Sequence, residues 1–206
     1  MRKNIFITGI STEVGKTIAS AIVVEALQAD YWKPIQAGEL DDSDSHKIER
    51  LVSNPKTKIH PNSYALKTPM SPHAAAKIEG IEIDVKKIED PSTDNHLVIE
   101  GAGGLLVPIN DKQTILDIIL PTDKIIVVSR HYLGSINHTL LTVGLLKDIG
   151  REVAIIFSGK ENPPTESIIK QMTGANIIGR IEEEAHFDKT VIKKYAQQFK
   201  EKLEAL

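Results

Sequence analysis

Residues 4–17 are NIFITGISTEVGKT, an apolar stretch of strand length followed by a glycine-rich turn that ends in Gly-Lys-Thr. A stretch with helical character follows, and this order of strand, loop and helix predicts a phosphate-binding P-loop. Gly9 and Gly15 would let backbone N–H groups curl around phosphate oxygens. Lys16 would reach the β- and γ-phosphates, and the Thr17 hydroxyl could ligate Mg²⁺. Five residues separate the two glycines where the general motif has four, yet this context still predicts ATP binding.

Outside this loop, short apolar runs alternate with longer amphipathic stretches, the pattern of βα units around a mostly parallel sheet. This pattern predicts one α/β domain over residues 1–206, a doubly wound sheet flanked by helices. Segment 54–72, which is rich in Pro, Lys, Asn and Ser, is predicted to be a long surface excursion. Strands are predicted at 4–8, 31–33, 97–100, 124–129, 153–157 and 176–178, and helices at 16–29, 45–52, 72–79, 136–147, 165–172 and 188–205.

Composition narrows the range of partners. No apolar stretch approaches the ~18 residues needed to span a membrane, and a net charge of −3 gives no basic surface for nucleic acid. The absence of cysteine rules out disulfides, thiolate metal sites and a cysteine nucleophile. His131 and His138 are seven residues apart and form no close metal pair, so no zinc or iron site is expected. The charged start at Met1 and Arg2 leads directly into a strand without an apolar signal segment, so we expect a cytoplasmic protein with small-molecule partners.

Three polar residues near predicted strand or helix ends leave two interpretations open. Glu100 ends an apolar run and could be a Mg²⁺ ligand at the carboxyl edge of the sheet or a strand-end residue. Asp44 lies in the sequence DDSD before a helix, where composition favours an N-cap over a metal ligand. Lys33 precedes Pro34, and is either aimed at the same crevice or an ordinary surface lysine.

Six motifs occur in the order found in dethiobiotin synthetases, and the chain resembles that family over most of its length. The motifs are the P-loop at 9–17, KPIQAG at 33–38, SD at 43–44, SPH at 71–73, EGAGG at 100–104 and LGSINH at 133–138. Five residues between the P-loop glycines are usual in this family. The resemblance implies ATP-dependent closure of the ureido ring of dethiobiotin from 7,8-diaminopelargonic acid and CO₂, with release of ADP and phosphate.

The resemblance also implies individual roles. Lys16 and Lys33 would be catalytic and stabilise charge on the phosphoryl group and a carbamate, and Thr17, Asp44 and Glu100 would hold Mg²⁺. The implied ATP-binding residues are Glu13, Val14, Gly15, Lys16, Thr17, Ile18, Asp44, Glu100, Gly101, Ala102 and Gly103. The implied substrate-binding residues are Thr12, Lys33, Ala37, Gly103, Leu133, Gly134, Ser135 and Asn137.

The family is homodimeric, and residues 133–138 would reach the substrate carboxylate of the neighbouring subunit. Helix packing is an equally good interpretation of Asn137, and His73 is expected to lie on a partly buried helix in a structural role.

The chain departs from the family at three places. Ala37 stands where members often have Ser or Thr. Ser158 and Gly159 stand where an Asn usually helps to recognise adenine, and Glu182 replaces a proline after Ile181. Recognition of the base is therefore an open question in this chain.

The main alternative is a ParA- or MinD-like ATPase switch. Such switches usually carry a second lysine early in the P-loop, and residues 10–14 contain none. A cobyrinic-acid-type amide ligase is normally attached to a glutaminase, whose thiol is absent from these 206 residues. A non-catalytic nucleotide-binding module would not need both Lys33 and Glu100.

Overall fold

The computed structural model describes residues 3–206, so the charged start predicted at Met1 and Arg2 lies outside it. Its main feature is a parallel sheet with the strand order β4-β2-β6-β1-β7-β8-β9. The strands are β1 (Asn4–Gly9), β2 (Asp30–Trp32), β3 (Ile35–Ala37), β4 (Ile59–His60), β5 (Tyr64–Leu66), β6 (Leu97–Gly104), β7 (Lys124–Arg130), β8 (Val153–Ser158) and β9 (Asn176–Ile181). Strands β3 and β5 form a separate small parallel sheet.

The helices pack in two groups around the main sheet. They are α1 (Lys16–Leu27), α2 (Asp44–Leu51), α3 (Pro72–Glu79), α4 (Ser135–Asp148), α5 (Pro163–Thr173) and α6 (Lys189–Glu204). Helix α1 packs against α2 and α6, whereas α4 packs against α5. Within residues 3–206, no helix combines the length and apolar character needed to cross a membrane. The predicted doubly wound α/β architecture is confirmed.

Strand order explains where the loops converge. From β1, the sheet continues through β6 and β2 on one side and through β7, β8 and β9 on the other. A sheet whose strand order reverses in this way has a crevice at the carboxyl ends of its strands. The P-loop after β1 lies in the middle of that edge, beside the ends of β6 and β7.

The six predicted strands and six predicted helices are present, with ends displaced by at most three residues except at the end of β6. Strand β6 continues to Gly104 because its glycines remain paired with β1, where Gly104 lies opposite Gly9. Strand β9 likewise continues past the predicted end, to Ile181.

The prediction of a surface excursion at 54–72 is wrong in part. Strand β4 extends the edge of the main sheet, and β5 carries the fully buried Leu66. Strands of two or three residues are too short to show an alternating pattern.

Candidate active site

The P-loop connects β1 to α1 through a turn in which two glycines have separate functions. A side chain at Gly9 would meet Val14 Cγ2 at 2.6 Å and the Ser11 carbonyl oxygen at 2.7 Å, so the loop closes tightly only with glycine there. Gly15 precedes α1 with φ at 90°, a conformation that favours glycine. The N-terminus of α1 therefore opens directly onto the crevice, where it favours an anion.

Lys16 is buried in this turn. Its ammonium group donates a hydrogen bond to the Ser11 carbonyl at 3.1 Å and, within residues 3–206, forms no ion pair with a carboxylate. Burial lowers the pKa of Lys16 to about 8, although Glu100 opposes the shift and Lys33 adds to it. A phosphate group in the loop would supply the negative charge that this ammonium lacks.

Ser158 is hydrogen-bonded to the backbone of the P-loop. Its buried hydroxyl, at the end of β8, donates to the Val14 carbonyl at 2.7 Å. A Cβ atom on Gly15 would lie 3.7 Å from the Ser158 oxygen, so the two segments are in close contact. Sequence reasoning treated Ser158 only as a base-facing position and missed this contact across 144 residues of chain.

Two carboxylates and one hydroxyl converge beside Lys16. The Thr17 hydroxyl oxygen lies 3.1 Å from Asp44 Oδ1 and 3.0 Å from Glu100 Oε1. A hydroxyl carries one hydrogen and can donate it to only one of these two oxygens. The other contact therefore brings two oxygens together without a proton between them, an arrangement that a divalent cation would relieve. This all-oxygen donor set fits Mg²⁺.

Lys33 completes the cluster. Its ammonium group contacts Asp44 Oδ2 and lies 3.2 Å from Glu100 Oε1. Trp32, the last residue of β2, pairs with Ile99 of β6. Lys33 and Glu100 come directly after these two residues and therefore lie beside each other. Burial opposes the ammonium form, but the two carboxylates outweigh it and raise the pKa of Lys33. Burial also disfavours the ionised form of Asp44, but the attraction of Lys33 outweighs the effect of burial and lowers the pKa of Asp44.

The sequence DDSD does contain the N-cap of a helix, but Asp44 is not that residue. Ser43 is the N-cap of α2, where its hydroxyl accepts the His46 backbone N–H at 3.4 Å. Asp44 is the first residue of the helix, and its carboxylate faces Lys33 and Thr17. Its backbone N–H donates to Gln36 Oε1 at 3.4 Å, which ties the start of α2 to β3.

Tyr31 holds the far side of Glu100. Its hydroxyl, fully buried on β2, donates to Glu100 Oε2 at 2.9 Å. Burial, reinforced by the Glu100 charge, raises the pKa of Tyr31 well above its usual range. Sequence reasoning missed this residue, although the two-residue period of a strand places Tyr31 on the same face as Lys33.

A cavity of about 1430 Å³ joins these groups. Its lining includes residues after β2 and at the end of β7, two strands that lie on opposite sides of β1 in the sheet. We name the lining residues Lys33, Gln36, Ala37, Pro69 and Met70 the amine arm, and Arg130, Phe187, Lys189 and Thr190 the base arm.

Most predicted site residues line this cavity. They are Thr12, Glu13, Gly15, Lys16, Thr17, Ile18, Lys33, Ala37, Asp44, Glu100, Ala102 and Gly103. Val14 is buried under the loop, and Gly101 packs against Phe6. Leu133, Gly134, Ser135 and Asn137 lie at the start of α4 and do not line the cavity. His73 is on α3, partly buried.

Known proteins have sequences similar to this chain over nearly its whole length. A family model described as an AAA domain matches residues 3–190. The ATP-dependent dethiobiotin synthetase of Christiangramia forsetii is 58% identical over 204 residues, which cover 98% of this chain and 99% of that relative. The chain belongs to the dethiobiotin synthetase family. A dethiobiotin synthetase of Cytophaga hutchinsonii is 49% identical over 197 residues, 94% of this chain and 95% of that relative.

Solved structures with similar folds are more distant from this chain in sequence. A ParA family ATPase from Chlorobium tepidum superposes with a TM-score of 0.63 at 13% identity, covering 100% of both chains. A chain of the MinC:MinD cell division complex of Aquifex aeolicus gives 0.61 at 17% identity, covering 99% of this chain and 96% of its own. At such identities, the likeness extends to the fold alone.

Proposed function

We propose that this chain closes the ureido ring of dethiobiotin from 7,8-diaminopelargonic acid and CO₂, with cleavage of ATP to ADP and phosphate. Membership of the dethiobiotin synthetase family supports an ATP-dependent ligase of biotin biosynthesis. The structural observation that carries the proposal is the position of Lys33. Its ammonium group lies at the junction of the P-loop and the amine arm, where a phosphoryl group and an amine-derived acceptor must meet.

The proposed reaction has three steps. One substrate amine adds to CO₂ and loses a proton, which gives a carbamate anion. A carbamate oxygen attacks the γ-phosphorus, ADP leaves, and a carbamic–phosphoric anhydride forms. The second amine attacks the carbonyl carbon of this anhydride, expels phosphate and loses a proton as the ring closes. The second step brings the carbamate anion against the anionic γ-phosphate, and the third releases phosphate, so positioning and positive charge are the main demands on the protein.

The chain's residues meet these demands. The P-loop backbone and Lys16 bind the β- and γ-phosphates, and Lys33 stabilises the carbamate and the transferring phosphoryl group. Thr17, Asp44 and Glu100 would hold Mg²⁺. This assignment is supported by the Thr17 hydroxyl, whose single hydrogen cannot serve both neighbouring carboxylate oxygens. When bound, Mg²⁺ supplies further neutralisation of phosphate charge. Ala37 carries no hydroxyl, so polar contacts to the substrate at that position come from its backbone.

We also propose a homodimer in which residues 133–138 contact the substrate of the neighbouring subunit. Leu106 and Leu141 are exposed beside a groove of about 420 Å³ that also reaches Thr12 of the P-loop. Leu133 is fully exposed at the start of α4. Exposed leucines next to a site are typical of a surface that another protein covers.

Phosphate release provides the test. Turnover should require both the diamine and bicarbonate, and the product should have the mass of the cyclic urea. A rate of ATP hydrolysis that does not depend on the diamine would instead favour a ParA- or MinD-like switch.

In the same assay, Lys33→Ala should reduce turnover by about 10²–10³ while ATP affinity changes little, because Lys16 and the loop backbone remain. Lys86→Ala removes an exposed lysine away from the cavity and serves as the matched control. Turnover of Lys33→Ala within about threefold of the parent would remove Lys33 from the mechanism.

A further inference from the structure

The Lys33 ammonium and the proposed divalent cation depend on the same oxygens. Glu100 Oε1 accepts from Lys33 at 3.2 Å and is also 3.0 Å from the Thr17 hydroxyl oxygen. Asp44 binds Lys33 through one oxygen and contacts Thr17 through the other. Mg²⁺ draws its oxygen ligands to about 2.1 Å. An ammonium group between the same carboxylates would lie too close to a divalent ion.

Lys33 is also the cation that this cluster needs when no metal is bound. Glu100 is 1% exposed and Asp44 is mostly buried, and two buried carboxylates without a counter-ion are strongly unfavourable. Two other lysines near these carboxylates, Lys16 and Lys47, serve less well as a counter-ion. Lys16 donates to the Ser11 carbonyl, and the Lys47 ammonium lies 3.6 Å from Asp44 and 2.7 Å from Glu39.

The Lys33 side chain can move away from the two carboxylates, whereas the Lys33 backbone and Glu100 are held in place. Its carbonyl accepts a hydrogen bond from Asn62 Nδ2 at 2.6 Å, and Pro34 follows it in the chain. Tyr31 keeps Glu100 in place through the other carboxylate oxygen. The ammonium can therefore move into the adjoining amine arm while its backbone and its former partners stay where they are.

We propose that Lys33 is a tethered counter-ion, held on Asp44 and Glu100 until a divalent cation displaces it into the amine arm. The inference rests on the proposed function and adds an order of events to it. Arrival of the metal moves a positive charge toward the place where the carbamate forms. Metal binding and substrate binding consequently favour each other, since each is easier once Lys33 has moved.

The test is Mn²⁺ binding without nucleotide or substrate, measured from the free Mn²⁺ signal in electron paramagnetic resonance. Lys33→Met removes the competing charge and should bind Mn²⁺ about tenfold more tightly than the parent. Lys33→Arg retains the charge and should bind Mn²⁺ within about threefold of the parent. Should Lys33→Met fail to fold, Lys33→Gln keeps a hydrogen-bond donor without the charge and should show the same gain.

Lys47→Met is the matched control, because it removes a positive charge near Asp44 that is not shared with Glu100. If it tightens Mn²⁺ binding as much as Lys33→Met does, the gain is a general charge effect and the proposal falls. Unchanged or weaker Mn²⁺ binding in both neutral Lys33 variants also overturns it. Either result leaves the proposed ligase activity standing, since that activity is judged by diamine-dependent phosphate release.

Discussion

At the scale of single residues, the two oxygens of the Glu100 carboxylate have different partners. Oε2 is held by the Tyr31 hydroxyl, whereas Oε1 faces Thr17 and Lys33. A carboxylate fixed at one oxygen cannot rotate, so the other oxygen keeps its direction without help from a ligand. Tyr31 is therefore a positioning residue that acts through Glu100.

Tyr31→Phe tests this role. Loss of the hydroxyl leaves Glu100 Oε2 buried without its partner, which should lower the free energy of unfolding by about 1–3 kcal/mol. Freed from that contact, the carboxylate should hold metal less well, so the Mg²⁺ concentration for half-maximal turnover should rise. Tyr64→Phe is the control, because the Tyr64 hydroxyl accepts the Asp84 backbone N–H at 3.0 Å away from the cavity. An unchanged Mg²⁺ requirement in Tyr31→Phe would make Tyr31 a packing residue only.

The sequence predicts which residues form the site better than it predicts the hydrogen bonds between them. Lys16 and Thr17 are recognisable because they open a helix after the glycine-rich turn, and Glu100 is recognisable because it ends an apolar run before a series of glycines. The Tyr31 and Ser158 contacts join residues far apart in the chain, and their partners depend on strand order. Asp44 was judged from its neighbours alone, and those favoured a cap that Ser43 provides.

At the scale of elements, β8 and the P-loop form one unit. Ser158 donates to the Val14 carbonyl, and the Gly159 N–H donates to the Ile181 carbonyl at 2.9 Å. Neither group is free to recognise a base. Because the usual asparagine is absent, we expect GTP and CTP to support turnover better than in relatives that carry it.

Ser158→Asn should therefore impair the enzyme rather than sharpen its preference for ATP. The larger side chain meets Gly15 and disturbs the P-loop, so kcat/KM should fall about tenfold or more for ATP, GTP and CTP alike. Ser167→Asn, at an exposed position of α5, is the matched control. A selective gain for ATP over the other nucleotides would show that position 158 faces the base.

Element length decided which elements the sequence revealed. Strands such as β7 carry buried β-branched residues on both faces and stand out in the sequence. Strands β3, β4 and β5 contain three, two and three residues, too few for any period. They form because the segment between α2 and α3 folds back, so that β4 pairs with β2 and β5 pairs with β3, which is a tertiary effect.

At the scale of the whole molecule, the surface beside the P-loop predicts self-association. Leu141 is 65% exposed and lines the groove next to Thr12. Leu141→Glu places a charge in that surface and should shift a dimer toward monomer in sedimentation equilibrium. Met172→Glu is the control, since Met172 is 62% exposed on α5 outside the groove. A parent that is monomeric and fully active at micromolar concentration would contradict the homodimer.

Stability of the fold should also depend on pH through Asp123, which precedes β7 at the end of the sheet away from the cavity. Burial raises the pKa of Asp123 to about 6, and the Asp90 charge adds to the shift. A raised carboxyl pKa means that the folded state binds this proton more tightly than the unfolded state. This contribution to stability is therefore complete below about pH 4 and is lost as the pH rises through 6.

Asp123→Asn should remove that dependence while its amide oxygen still accepts the Leu120 N–H. Relative to the parent, the variant should gain roughly 1–2 kcal/mol in free energy of unfolding between pH 4.5 and pH 7.5, after allowance for solvent screening. Urea unfolding at the two pH values measures the difference. A constant difference between parent and variant would contradict the prediction.

The continuous cavity has a consequence for inhibitor chemistry. Its amine arm and base arm line one cavity, which Lys16 and Thr17 also line. A single bisubstrate molecule, with a nucleotide portion joined to a diamino-acid portion through a phosphate mimic, could occupy both arms at once. Linking the two fragments turns the second binding event into an intramolecular one, worth roughly 10²–10⁴ in affinity when the linker fits the span.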